Sequence, residues 1–537
     1  MNRKPVWMVA ATALALAGCQ DQPTSPEGQV APGGRVARAE APPTSGSHRD
    51  RLRQLIQTQD AITLEGRWVI DDSLHLDGNT QLLGTTGATV VWNNTAYDRS
   101  LFYVEGASNV TLRGLTFEGT PGGTHQRHQF VLKVHGGHNI TFENNQIRKI
   151  ALVGSFGPGN VPATTWSQLN TNFDILNNTV LEGVCGAAAG RIRDCAPNDE
   201  PAIELGFVAD ATITGNTLSN YGAGVVIRGG DPTTYVQTHS QLLAGNSLVS
   251  GNTIRETGHG IGIYQSINVD VNSNDVQHCW DMCLDVEGGY DIVFHDNTAK
   301  YGGHYVAAVY WNTEQATFNW NRFHKSATFK NMNGVWQNSI TDQMYYNASA
   351  PSTAANNVNV AMHNNYMEWE GAGTGKVSLG HSRTFSFDNN TLKDVVIDLA
   401  ETPIYAGTVQ VGGNVLQFTR SLGSQHPAAI RVGYNNVPSG GSCGAGPLLY
   451  GYWHVIVAGN QISSPTAGQS GKGIDASQSC GVTLNTLIEN NQVRHFPVSI
   501  RTAGGSSHHF AIINNGHTGT LDYLGSPNRN VSGNYPL

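Results

Sequence analysis

Residues 252–297 read NTIRETGHGIGIYQSINVDVNSNDVQHCWDMCLDVEGGYDIVFHDN, and the stretch is one pattern written twice. From Asn252 the chain returns to Asn after 22 residues, at Asn274, and again after 23, at Asn297. Ile261-Gly262-Ile263-Tyr264 and Leu284-Asp285-Val286-Glu287 occupy the same place in the two copies, as do Val269-Asp270-Val271 and Ile292-Val293-Phe294. Apolar residues at every second position mark strands with one face inward and one outward. Strands this short cannot hold a sheet alone. If each pairs with its own copy one repeat along, the backbone closes into coils, and unpaired edges remain only at the two ends.

The Asn series extends in both directions. It includes Asn145, Asn178 and Asn216 upstream, and Asn321, Asn365, Asn390, Asn414, Asn460, Asn491, Asn515 and Asn534 downstream. Steps of 44 and 46 are two units, and steps of 31 to 38 are one unit with an insertion. Asn at a tight turn suits the left-handed backbone region, and its amides can form ladders between coils. The pattern resembles the right-handed parallel β-helix of the pectate-lyase-like superfamily over roughly residues 60–537. The expected fold is therefore all-β, a single-stranded solenoid over residues 61–537. At about 4.8 Å per coil, roughly 18 coils make a rod of order 85 Å. Residues 49–58 (RDRLRQLIQT) are the one amphipathic helix, with Leu52, Leu55 and Ile56 on one face. A solenoid needs its open end covered, so residues 49–60 are expected to cap it.

Composition agrees. Of 537 residues only 13% are charged, about half the usual share of roughly 25%. Such a chain lacks the Lys, Glu and Arg that helical proteins carry on wet faces. Asp and Glu number 40 against 31 Lys and Arg, a net charge of -9, which argues against a nucleic-acid partner, since phosphate binding rests on Lys and Arg.

Arg3 and Lys4 precede an apolar stretch, Val6 to Ala17, too short to cross a bilayer and suited to a secretory leader. It ends in Leu16-Ala17-Gly18-Cys19, which resembles the lipobox of bacterial lipoproteins. That resemblance implies a signal peptide at 1–18, lipidation of Cys19, and export to an outer membrane or cell surface, with membrane contact through the lipid alone. Gln20, where an Asp would signal inner-membrane retention, favours the outer membrane. Residues 19–48, rich in Pro, Gly, Ser and Ala, read as a disordered tether. Export permits disulfides among Cys185, Cys195, Cys279, Cys283, Cys443 and Cys480. Local pairing 185–195 and 443–480 would staple two insertions, while Cys279 and Cys283 flank a turn and either pair or stay buried as small apolar residues.

Counting back from the Asn column stacks the outward residues. Asp285 and Glu287 fall in register with Lys133 and His135, with Gly262 and Tyr264 one coil earlier, then Val226 and Arg228, then Glu204 and Gly206; Tyr310 and Trp311 follow. One outer sheet is thus expected to carry Lys133, His135, Glu204, Arg228, Tyr264, Asp285, Glu287, Tyr310 and Trp311. Insertions at 155–170, 185–200 and 229–245 would wall it as a groove. Outer strands after Asn390 look bland by comparison. Extended polysaccharides fit such grooves. Aromatic faces suit sugar rings, paired carboxyls suit glycoside hydrolysis, and Arg or Lys beside a base suits elimination.

Asp285, Glu287, Arg228 and His259 are the expected catalytic groups, with Lys133, His135, Glu204, Tyr264, Tyr310 and Trp311 contacting substrate. Asp281, His304 and Asp291, near the ends of the same strands, are spare candidates. Gly258-His259-Gly260 resembles the GHG tripeptide of polygalacturonases, which share this fold, but that family's other motifs are missing. The β-helix resemblance also leaves room for Ca²⁺ on Glu204, Asp285 and Glu287, since oxygen ligands suit it. His125-x-x-His128 and His135-x-x-His138 have metal-like spacing, but a strand splays His135 and His138 to opposite faces, so no metal site is assigned. The expected function is a surface-anchored enzyme cleaving a polysaccharide as hydrolase or lyase. The rivals are a non-catalytic glycan-binding adhesin and a structural rod.

Overall fold

A computed structural model describes residues 35–96, 99–119, 129–156, 170–183, 201–229, 244–330, 336–338, 343–347, 358–379, 384–399, 408–433, 455–465, 470–477, 485–503, 509–523 and 528–537. The leader at 1–18, Cys19, Cys185, Cys195, Cys443, Cys480 and the three expected groove walls for the most part lie outside these residues.

The chain is a right-handed parallel β-helix. One coil runs through strands Met282–Glu287, Tyr290–His295 and Thr298–Lys300 before Tyr305–Tyr310 begins the next. Among the described residues the first of these belongs to a 16-stranded parallel sheet, here the site sheet, and the second to an 18-stranded parallel sheet, the flank sheet; the third joins a further parallel stack. Register follows the repeat: Ile261 pairs with Leu284 and Leu284 with Ala307. Inward residues such as Leu284, Val286, Ile292 and Phe294 are fully buried. Phe294 stacks on Phe318 with centroids 4.6 Å apart, so the core is continuous from coil to coil.

Between flank sheet and third stack runs the Asn column. In the ladder from Asn145 to Asn515, each backbone N–H and each side-chain Nδ2–H donates to the Oδ1 of the Asn one coil on; Asn274 donates both to Asn297 at 3.0 and 2.9 Å. The same Nδ2 also donates to a carbonyl of the preceding coil, Val249 in this case. The left-handed residue is not the ladder Asn, as the sequence suggested, but its predecessor: Asn144, Asn177, Gly215, Gly251, Ser273 and Asp296 all have positive φ. The turn residue bends the chain outward, which leaves the following amide buried and free to bond along the stack.

The N-terminal cap differs from expectation in its bounds. The helix spans Ser45–Thr58, earlier than 49–60. Leu52, Leu55 and Ile56 are buried against the strand Arg67–Ile70. Val36–Glu40, expected within the tether, is a strand paired with Ala61–Glu65. Alternation is weak in VARAE, but pairing satisfies an edge that the first coil would otherwise expose. His48 fixes the helix to the coil, its Nδ1 accepting from the Val69 N–H at 2.7 Å.

Candidate functional site

The predicted register holds on the site sheet. Lys133 pairs with Gly154, Gly154 with Glu204, Glu204 with Val226, Val226 with Gly262 and Gly262 with Asp285. In the parallel column Gly206, Arg228, Tyr264, Glu287 and Tyr310 follow one another. All share one flank but not one cleft. Lys133 stands five strands from Asp285, about 24 Å at the inter-strand spacing. Its ammonium lies 5.1 Å from the Phe156 ring centroid and His135 stacks near the same ring at 5.8 Å. These two form a separate group. Trp311 is also not on the sheet face: it follows the strand end at Tyr310 with φ 57°, where the backbone turns away.

Around Asp285 the polar groups do converge. Asp285 is fully buried. Burial raises its pKa well above the usual carboxyl range, and the neighbouring charges of Glu287 and Asp281 push the same way. The Tyr264 hydroxyl and the Val286 N–H favour its charged form, yet neither carboxyl oxygen has a hydrogen bond of normal geometry. Gly262 explains the cover: without a side chain there, the Tyr264 ring folds over its Cα. Tyr264 is in turn raised in pKa by burial and by Asp285. Glu287, partly exposed at the strand end, is raised to about 7, by burial first; His259 and Arg228 oppose the shift and Asp281 adds to it. Arg228 is itself held by Glu204, Nη2 to Oε1 at 3.3 Å.

His259 opens its strand and is buried. Its Nε2 is 3.3 Å from Asp281 and its Nδ1 4.0 Å from Asp285. Asp281 also accepts from His304 Nδ1. Burial alone would raise the Asp281 pKa, but hydrogen bonds from His259 and His304, and their charge, carry it well below the ordinary carboxylate range. Asp285, pushed towards its neutral form by burial, and Asp281, held towards its ionised form, therefore sit on either side of one imidazole. The His304 side chain is 40% exposed.

Two neighbours brace the bend. Cys279 and Cys283 form a disulfide around Trp280-Asp281-Met282. Lys325, almost wholly buried, donates to the carbonyls of Gly303, His304 and Gln343. The sequence flagged Asp281 and His304 only as spare candidates. Their register was the missing signal: the Asp281 N–H bonds to Gly258 and the His304 N–H to Asp281, one coil apart each time.

The column does not become bland after Asn390. Asp398 pairs with Arg431, Arg431 with Asp475, Asp475 with Arg501 and Arg501 with Asp522. Signs alternate coil by coil, with Arg431 Nε 3.0 Å from Asp398 and Arg501 Nε 3.7 Å from Asp522. These charges neutralise one another. Among the described residues no group of three or more His, Cys, Asp and Glu is placed to hold a metal. The Ca²⁺ triad implied by resemblance cannot share one ion, since Glu204 is three strands, about 14 Å, from Asp285.

A family model described as right handed beta helix region matches residues 188–345. No curated protein matches the sequence. Among solved structures the chain is similar to the Dettilon tailspike protein, with 12% identity, TM-score 0.40, 68% of this chain and 65% of that one. It is similar to the Streptococcus pneumoniae surface protein and adhesin PfbA at 10% identity, TM-score 0.34, 91% and 96% coverage. It is also similar to a double mutant of the periplasmic alginate epimerase AlgG at 8%, TM-score 0.39, 86% and 83%. The chain spans just under two thirds of the Dettilon tailspike and 58% of the tailspike protein 3 of bacteriophage CBA120. These likenesses concern the fold.

Proposed function

We propose that this protein is a glycoside hydrolase acting on a polysaccharide laid across the site sheet. One observation carries the reading: Glu287, with a pKa near 7, lies in the electrostatic field of an ionised Asp281 that is fixed by two histidines. The two carboxyls favour opposite protonation states at one pH, so Glu287 can serve as the acid while ionised Asp281 orients the imidazole that serves as the base. Glu287 gives its proton to the glycosidic oxygen. His304, with Nδ1 engaged by Asp281, takes a proton from water through Nε2 as the water oxygen attacks the anomeric carbon and the bond to the leaving sugar breaks. Asp285 is a positioning residue, since it has no exposed surface. Neutral beneath Tyr264, it places no second negative charge against His259.

Elimination is less well supported. It needs a cation beside the acidic sugar, and Arg228 is engaged by Glu204 while Lys133 is remote. We also place residues 1–18 as a leader and Cys19 as a lipid anchor at the outer membrane or cell surface, with a tether no longer than 19–34 before the first strand. The test is incubation with neutral and acidic polysaccharides. New reducing ends without the absorbance of unsaturated products support hydrolysis, and their loss in Glu287→Gln assigns the acid. Unsaturated products would mean a lyase, and glycan retention without cleavage a binding protein.

A further inference from the structure

We propose a second carbohydrate site on the flank sheet, a groove centred on Asp210 that binds a neutral polysaccharide chain. It goes beyond the hydrolase reading, because it lies on a different sheet and uses none of the same residues. The groove has a volume of about 640 Å³.

Its edge is a second, exposed amide ladder. Asn109 donates to Asn79, Asn139 to Asn109 and Asn172 to Asn139, each Nδ2 to Oδ1 at 2.8–2.9 Å. All four have positive φ. Asp210 holds the next position, between Ala209 and Ala211, which pair with Thr171 and Phe173. It shares the same backbone conformation, with φ 61°. A carboxylate has no N–H, so the relay stops there, and Asn172 Oδ1 receives no amide from the following coil. The ladder resumes one coil later, where Asn268 donates to Asn246. The groove forms at this break.

The lining names the ligand class. Asp174, Asp210 and Asp270 line it, with no Lys or Arg, so a polyanion is repelled. Asp270 is already engaged by His295 Nε2 and Asn272 Nδ2, each at 3.1 Å, so the acceptors that ask for O–H donors are those at the break, the Asp210 carboxylate and Asn172 Oδ1. Leu248 supplies an apolar floor between Thr212 and Asp270, which it meets in register. An apolar face edged by acceptors suits a pyranose ring, whose C–H face is apolar and whose hydroxyls point outward. Neighbouring coils lie about 4.8 Å apart, so Asn172, Asp210 and Asn246 present their polar groups along the direction an extended chain would take.

The test is affinity gel electrophoresis of the full-length Glu287→Gln protein, which keeps the polymer intact. The probes are mixed-linkage β-glucan, xyloglucan and galactomannan, against alginate and polygalacturonate. Retention by at least one neutral polymer and by neither anionic one is expected. Asp210→Asn restores the missing donor and closes the ladder, so it should raise the unfolding temperature while weakening retention about tenfold, the worth of one hydrogen bond to a charged group. Leu248→Arg should abolish retention by filling the floor. Retention by none of the neutral polymers overturns the proposal, as does unchanged retention in both groove variants. Cleavage by the unsubstituted protein that survives Asp210→Asn shows the hydrolase reading standing or falling separately.

Discussion

Tyr264 lies over the Cα of Gly262: a Cβ at that glycine would come within 2.4 Å of the tyrosine hydroxyl oxygen. The two residues are alternate positions of one strand, and Gly262 pairs with Asp285. The missing side chain is therefore what lets the phenol cover the buried carboxyl. Gly262→Ala should displace the ring and admit water to Asp285. Overpacking of this kind costs about 1–3 kcal/mol, read as a lower unfolding temperature. With water admitted, the Asp285 pKa should fall towards the ordinary range. An unfolding temperature and pH profile equal to those of the parent would show that the ring has no such role.

Glu287 and Asp285 make stability depend on pH in a definite direction. Both pKa values are raised in the folded state, Glu287 from 4.5 to about 7, and Glu256 is raised to about 8. Between the unfolded and folded values the folded chain holds more protons than the unfolded one. Stability therefore falls as pH rises from about 4.5 to 8. For Glu287 alone the decline is about 3 kcal/mol. Asp281 acts oppositely, since its lowered pKa adds stability that is lost only in strong acid. Chemical denaturation at pH 5 and pH 8 should show the protein more stable at pH 5, with a smaller difference in Glu287→Gln.

The basic coil period, the parallel pairing and the register of Tyr264 with Glu287 are legible in the sequence, because one residue type recurs at one turn and strand alternation does the rest. The steps of 44 and 46, expected as two units, are instead single coils with long insertions, since Asn321 bonds directly to Asn365 and Asn414 to Asn460. Three further features are not legible. The ladder Asn and the left-handed residue are adjacent, and periodicity alone does not say which of Asn144 and Asn145 takes which role. The Asp398–Arg431 pair is hidden in the sequence by an insertion that stretches the spacing there to 33 residues. The covering of Asp285 depends on how Tyr264 turns its ring, which follows from the space at Gly262 rather than from any motif. Trp311 does not share the face of Tyr310, since adjacent strand residues point to opposite faces and the strand ends at Tyr310.

Asp281→Asn tests the proton relay. The amide keeps the shape but loses the charge that fixes the tautomers of His259 and His304. General acid–base groups contribute roughly 10²–10⁴-fold, so kcat on a cleaved polysaccharide should drop by about that factor with KM little changed. The same variant removes a charge that raises Glu287, so the alkaline limb of the pH profile should move to lower pH. A loss of rate with no movement of that limb would point to a structural role for Asp281.

The buried Asn ladder should fail by position. Asn297 accepts two bonds from Asn274 and donates to Asn321 and Val271, with almost no exposure. Asn297→Ala leaves the Asn274 donors and the Val271 carbonyl without their partner inside the stack. Each buried unsatisfied group costs about 1–3 kcal/mol, and the two coils beside it cannot shift without breaking their own register, so the unfolding midpoint should fall sharply. Asn534, the last of the series, accepts the same two bonds from Asn515 and donates to the Ile512 carbonyl, but it has no ladder Asn beyond it and is partly exposed. Water can replace the lost bonds there, and Asn534→Ala should cost well under half as much. Equal losses at the two positions, measured by denaturant unfolding, would mean that the ladder acts through local turn geometry rather than through continuity along the stack.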